Sequence, residues 1–209
     1  MKPANNPKST PAHSLFRPAM LLAVLLVAIY FISREVKYYT LNQETLGRFF
    51  EIRWWLMGHL SGGILALLIG PFQFWEKFRM RNLKLHRQLG KVYLIAILVA
   101  TLCSTYMAWT SALKIHFSWA LSLQVLAAAW LVTIFMAYRA IRLRRIQRHR
   151  EWMIRSYIVT FGFISFRFIN DTMAAAEMGT FVERAPSIIY LVLFIPLAIA
   201  GLVFEWNRK

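Results

Sequence analysis

Cysteine is nearly missing from this chain of 209 residues: Cys103 stands alone, inside an apolar run. Neither an intramolecular disulfide framework nor a CxxC redox pair is available to it. Acidic residues are scarce as well, 9 against 25 Lys and Arg. The phosphate-cradling patterns G-x-x-x-x-G-K-[ST] and G-x-G-x-x-G do not occur, nor does H-E-x-x-H. Nucleotide-driven and zincin chemistry therefore have no support. The apolar runs show no period-2 alternation and are twice the length of a barrel strand, which argues against a transmembrane β-barrel.

What the chain has in quantity is apolar sequence, 58% of its residues. A soluble domain of this length carries less. A membrane-spanning helix needs about 20 mostly apolar residues. Six segments qualify, at 15–33, 54–75, 89–110, 118–138, 152–173 and 187–206. The first has the basic flank of a signal peptide. Its apolar stretch is long and no small-x-small cleavage pattern follows, so it reads as an uncleaved span. The expected fold is an all-α polytopic membrane protein of six transmembrane helices. A disordered cytoplasmic tail at 1–14 precedes a single domain at 15–209, with a four-helix core bundle at 54–173. The first and last spans are expected to flank that bundle, the last as a lipid-facing helix.

The net charge of +16 follows from topology. With both termini in the cytoplasm, 18 cations and 3 acids fall on the inner side, and 6 cations and 5 acids on the outer side. Such a bias is the positive-inside pattern. Nucleic acid need not be invoked; anionic lipid headgroups are the expected partners of the basic loops. The expected location is a bacterial inner membrane.

Polar residues inside the spans carry the functional reading. His13, in the tail, is expected to be solvated. Segment 34–53 interleaves aromatics with Arg48, Glu51 and Arg53, as an interfacial amphipathic stretch does; the alternative is a lid over an outer-leaflet site near His59. His59 lies about 7 Å below the Trp54-Trp55 anchor. It stands beside Gly58, Gly62, Gly63, Ala66 and Gly70, small residues that let a helix or a flat ligand come close. His86 and His149 follow the two basic inner loops, each continued by an arginine, and Tyr93 and Tyr157 come after them. This is a faint repeat whose offsets differ by one residue. Arg167 and Asp171 are spaced i, i+4 and are expected to pair within one helix.

Haem iron in helix bundles is held by histidines from different helices, with glycines beside the ring and arginines at the propionates. His59, His86 and His149 are the candidate ligands, with Gly62 and Gly63 making room, and His116 sits more loosely at the outer side. The expected function is a b-type haem protein passing electrons across or along the bilayer, with a quinone as exchange partner. The competing expectation is a non-redox transporter or lipid-interacting accessory subunit. There His59, Arg167 and Asp171 would line a path, and the His-Arg dyads would bind headgroup phosphate.

The motifs G-H-x-x-G-G at 58–63, G-P-x-Q-F at 70–74, L-H-R-x-x-G-x-x-Y at 85–93 and H-R-x-W-M-x-R-S-Y at 149–157 form a set. As a set they resemble a family of predicted bacterial multi-pass membrane proteins, over roughly residues 54–173. The resemblance brings no activity with it. At the level of fold, a four-helix core with histidines toward both faces is similar to di-haem transmembrane cytochromes b.

Overall fold

The computed structural model describes residues 11–206, with side chains from Ala19 onward. Of the expected tail, residues 1–10 lie outside the described residues and 11–14 belong to the first helix. Eight α-helices follow one another. They are α1 (Pro11–Glu35), α2 (Gln43–Leu46), α3 (Arg53–Phe74), α4 (Glu76–Arg81), α5 (Leu83–Met107), α6 (Phe117–Arg142), α7 (Ile146–Ala175) and α8 (Phe181–Trp206). Short 3-10 turns at Val36–Thr40 and Gly47–Phe49 flank α2, and a π-turn at Ala108–Ala112 extends α5. No strand occurs among the described residues.

Among the described residues, five stretches are long and apolar enough to cross a membrane: Ala19–Thr40, Arg53–Phe74, Leu83–Ala112, Phe117–Arg142 and Phe181–Trp206. The remaining long helix, α7, has 30 residues but a much more polar composition. Helices α5, α7 and α8 each begin about six residues before the apolar run does. The edge of an apolar run marks a change of solvent, not a helix end. Lys, Arg and Gln are good helix formers and carry the helix on. The second basic loop thereby shrinks to the turn Leu143–Arg145, and the first becomes mostly α4.

The main buried cluster draws on five helices, not four. Ala66 and Ile69 come from α3, Tyr93 and Ile97 from α5, Trp130 and Ile134 from α6, Met153 and Val159 from α7, and Ala185, Ile189 and Leu193 from α8. The expectation of a peripheral, lipid-facing last helix is thus corrected. One face of α8 packs into the bundle, and the opposite face, with Leu191, Ile195 and Leu202, is exposed. Its sequence is apolar all round, so periodicity could not separate the two faces.

Segment 36–52 folds onto the start of α3. Leu46 is buried with Leu56 and Met57, and Tyr38, Phe49 and Phe50 close over them. Asn42 caps α2 by accepting from the Thr45 N–H at 2.8 Å, and Tyr39 Oη lies 2.8 Å from Ser61 Oγ on α3.

Helix α1 is held at two levels. Ala28 packs against Leu67 and Ile164. At its C-terminal end two ion pairs cross to α7, Arg34–Asp171 at 3.4 Å and Arg167–Glu35 at 3.5 Å. Arg167 and Asp171, expected to pair with each other, each find a partner on α1 instead. An i, i+4 pair is worth only about 0.2–0.5 kcal/mol. The pairing across the helices also neutralises Glu35, which is only 8% exposed. Arg167→Ala is expected to destabilise the fold by about 1–3 kcal/mol, the penalty for a buried group left without its partner. The 41% exposure of the arginine side chain keeps the loss below the range of a fully buried pair. Thermal unfolding in detergent measures it. Glu35→Gln in the same background should recover part of the loss.

Candidate functional site at the basic end of the bundle

The small-residue face of α3 is a helix contact. A Cβ on Gly62 would lie 2.5 Å from the Ala96 carbonyl oxygen and 2.9 Å from the Ala100 Cβ, both on α5. On Gly58 it would lie 2.6 Å from Cys103 Sγ, and on Gly70 it would overlap the Tyr157 ring. Gly62, expected to face a cofactor, instead lets two backbones touch. Gly63 is different, with nothing within 4 Å of such a Cβ. Beside the contact runs an apolar groove of about 300 Å³ between α3 and α5, lined by Ser61, Leu65, Val92 and Val99 among others. No histidine lines it.

His59 is part-buried. Its Nδ1 lies 3.1 Å from the Ala100 carbonyl oxygen on α5, and its ring meets Phe163 of α7 edge-on at 5.7 Å. A carbonyl only accepts, so Nδ1 carries the proton and Nε2 keeps its lone pair. His149 is held in the same way, with Nδ1 2.9 Å from the Ala137 carbonyl oxygen of α6. His116 has the opposite tautomer. Its Nδ1 accepts from the Ser118 N–H at 3.2 Å and so caps α6. That lone pair is spent on the helix end.

His86 and His149 occupy equivalent places on two helices. Each is the fourth residue of its helix, α5 or α7. Each closes the first backbone bond at 2.9 Å, to the Asn82 and Arg145 carbonyls respectively. Seven residues further along, Tyr93 Oη lies 3.2 Å from Ser156 Oγ. Helices α5 and α7 run in the same direction, because each connects to α6 by a short turn. Each histidine thus precedes its member of that pair by seven residues, about 10.5 Å of helix. Tyr93 Oη also lies 3.2 Å from Thr160 Oγ1, one turn further along α7, whereas Tyr157 reaches Leu67 on α3. The His86 ring lies within electrostatic reach of His149, Arg79 and Arg87. Its Nδ1 is buried without a hydrogen-bond partner among the described residues, as is Nε2 of Gln73. Gln73 is 8% exposed and lies over Gly90, one turn along α5 from His86.

The Tyr93–Ser156 pair belongs to a larger buried network. Trp130 Nε1 donates to Thr160 Oγ1 at 2.9 Å, and Thr160 Oγ1 donates to the Ser156 carbonyl at 2.9 Å. Tyr93 Oη is 3.2 Å from Thr160 Oγ1. The single Thr160 proton is committed to Ser156, so Thr160 accepts from both Trp130 and Tyr93. Ser156 Oγ then donates to Tyr93, and the ring of hydroxyls is closed. Tyr157 Oη donates to the Leu67 carbonyl at 3.1 Å and ties α7 to α3.

The motif segments that lie far apart in sequence thus meet at one end of the bundle: Gly70 and Gln73 from α3, His86, Gly90 and Tyr93 from α5, His149, Ser156 and Tyr157 from α7. His59 lies away from them, ten residues up α3 from Ile69. Ser156 and Thr160 continue the helix face of His149, as their spacing implies, and Gln73 and Trp130 join the site without having stood out individually. Gln73 lies inside a motif; Trp130 has no local signal. Among the described residues no group of three or more His, Cys, Asp and Glu is placed to hold a metal ion. No curated protein and no solved structure matches the chain. The model of a family described as predicted membrane protein (DUF2306) matches residues 56–204, which covers α3 to α8 almost entirely, and the chain belongs to that family.

Proposed function

We propose that the chain is a six-span inner-membrane protein with both termini in the cytoplasm, and that His86 and His149 form a two-histidine haem b site at its cytoplasmic end. The sixth span is α7, whose polar residues Ser156, Thr160, Arg167, Asn170 and Asp171 bond to neighbouring helices. The observation that carries the reading is the equivalent position of the two histidines, each the fourth residue of its helix. His149 donates from Nδ1 to a backbone carbonyl, the kind of bond that fixes the orientation of ligating histidines. His86 has a buried, unpartnered ring nitrogen. Arg87 and Arg150 follow the two histidines directly and suit the propionates. His59, held through Nδ1 in the same fashion, is the candidate ligand toward the opposite leaflet. When bound, haem supplies one-electron transfer, and a quinone is the exchange partner that suits a carrier within the bilayer.

The test is an optical spectrum of the purified protein from haem-replete cells, oxidised and dithionite-reduced. The expected result is a Soret band with sharp reduced α and β bands, lost in His86→Ala and in His149→Ala while helicity stays intact. A colourless, folded wild-type protein overturns the reading in favour of a transporter or accessory subunit. The packed glycine face of α3 favours that second reading, because the Cβ side of Gly62 is taken up by the α5 backbone.

A further inference from the structure

We propose a second site, separate from the histidines: a phosphate-recognition pocket for an anionic glycerophospholipid, where α6 turns into α7. A hollow of about 170 Å³ lies there, lined by Arg139, Arg145 and Arg148 with Met136, Leu143 and Trp152 among its apolar walls. No acid lines it. Among the described residues, the salt bridges involve Arg34, Arg79 and Arg167, not the three arginines that line this hollow. Three like charges around one cavity repel one another unless an anion joins them.

The backbone argues in the same direction. Helix α6 ends in a Schellman turn. The Arg145 N–H reaches the Ala140 carbonyl at 2.9 Å and the Arg144 N–H reaches that of Ile141 at 3.0 Å. The left-handed position of this turn is usually glycine, yet here it is Arg144 at φ 56°. The turn is tight enough to bring Arg145 and Arg148 back beside Arg139 of α6. A guanidinium offers a planar fork that grips phosphate oxygens in pairs. At about 30 Å³ per water, the hollow has room for five or six waters, the size of a phosphate with part of a glycerol. The apolar surface continues outward from it through Leu143 and Ile146, both exposed. Acyl chains would lie there. Basic pockets of this kind between helices at the cytoplasmic boundary suit phospholipid headgroups.

Phosphate could also come from a water-soluble source, and the experiment separates the two. Full-length protein in detergent is titrated with phosphatidylglycerol, phosphatidylcholine or inorganic phosphate, and bound lipid is counted by native mass spectrometry. Phosphatidylglycerol should bind more tightly than phosphatidylcholine, and inorganic phosphate should not compete at equal concentration. Each arginine is expected to contribute about five-fold, so the triple variant Arg139→Gln/Arg145→Gln/Arg148→Gln should lose on the order of one hundred-fold. The charge-matched control Lys77→Gln/Arg81→Gln/Lys84→Gln should keep the lipid. Leu143→Trp keeps every arginine and fills the hollow, so it should also lose the lipid; it carries the test if the triple variant does not fold. Equal loss in the control, equal affinity for phosphatidylcholine, full retention in Leu143→Trp, or displacement by inorganic phosphate each overturns the proposal.

Discussion

Gly62→Ala is expected to lower the thermal unfolding midpoint by about 4–12 °C, while Gly63→Ala leaves it unchanged or raises it slightly. The two glycines are neighbours on α3, and their sequence context is nearly the same. What differs is the face. A methyl on Gly62 meets the Ala96 carbonyl oxygen at 2.5 Å, and that atom belongs to a helix backbone that cannot swing aside. Helix α3 and helix α5 must separate for the methyl to fit. Overpacking of this kind costs about 1–3 kcal/mol. For a chain of this size each kcal/mol moves the midpoint about 2–4 °C, and the upper part of the cost range gives the stated shift. A methyl on Gly63 meets nothing within 4 Å. There the exchange removes a helix-weakening glycine and contributes about 0.5–1 kcal/mol in favour of the fold. Circular dichroism at 222 nm in detergent reads both variants. Equal midpoints for Gly62→Ala and Gly63→Ala would show that α3 and α5 do not touch along this face. Gly70→Ala belongs with Gly62→Ala. Its methyl would strike the Tyr157 ring, and that ring is anchored by its bond to the Leu67 carbonyl.

This contrast also shows what was readable before any coordinates. Small residues at four-residue spacing announce a face of close approach, and that face exists. Whether the visitor is a helix or a ligand depends on what the rest of the chain brings there, which spacing does not encode. The apolar runs announced the helices and their order in the same way. They did not announce helix ends, because Lys84, Arg87, Arg148 and Arg150 continue a helix as readily as leucine does. That is why His86 and His149 look like loop residues in the sequence and are the fourth residues of helices in the structure. Arg167 and Asp171 mislead for a related reason. Local spacing offers them to each other, but Glu35 and Arg34, more than 130 residues away in the chain, are the partners they meet, Glu35 as a buried acid and Arg34 at the exposed surface. Segment 36–52 has the composition of a surface stretch, and only the apolar end of α3, with Leu56 and Met57, gives it something to fold onto.

Among the polar residues of the core, Thr160 is expected to be the most costly to replace. Thr160→Val keeps the shape and removes one hydroxyl. That hydroxyl accepts from Trp130 Nε1 and lies within hydrogen-bond reach of Tyr93 Oη. Tyr93 has a second partner in Ser156 Oγ and can turn to it. The indole N–H of Trp130 has no such choice, and Trp130 is 0% exposed. An orphaned buried donor costs about 1–3 kcal/mol, so Thr160→Val should lose that much. Tyr93→Phe takes away a donor whose acceptor is still served by the indole, and should lose only about 1 kcal/mol. Residues that share one network do not add, and the double variant should depart from the sum by about 0.5 kcal/mol or more. Denaturant titration of the three variants measures the order and the coupling; a milder loss in Thr160→Val than in Tyr93→Phe contradicts the proton accounting. The consequence reaches the histidines. Tyr93 and Ser156 are the bonded pair from which His86 and His149 are each seven residues away. Weakening that pair loosens the tie between α5 and α7, the two helices that carry the histidines.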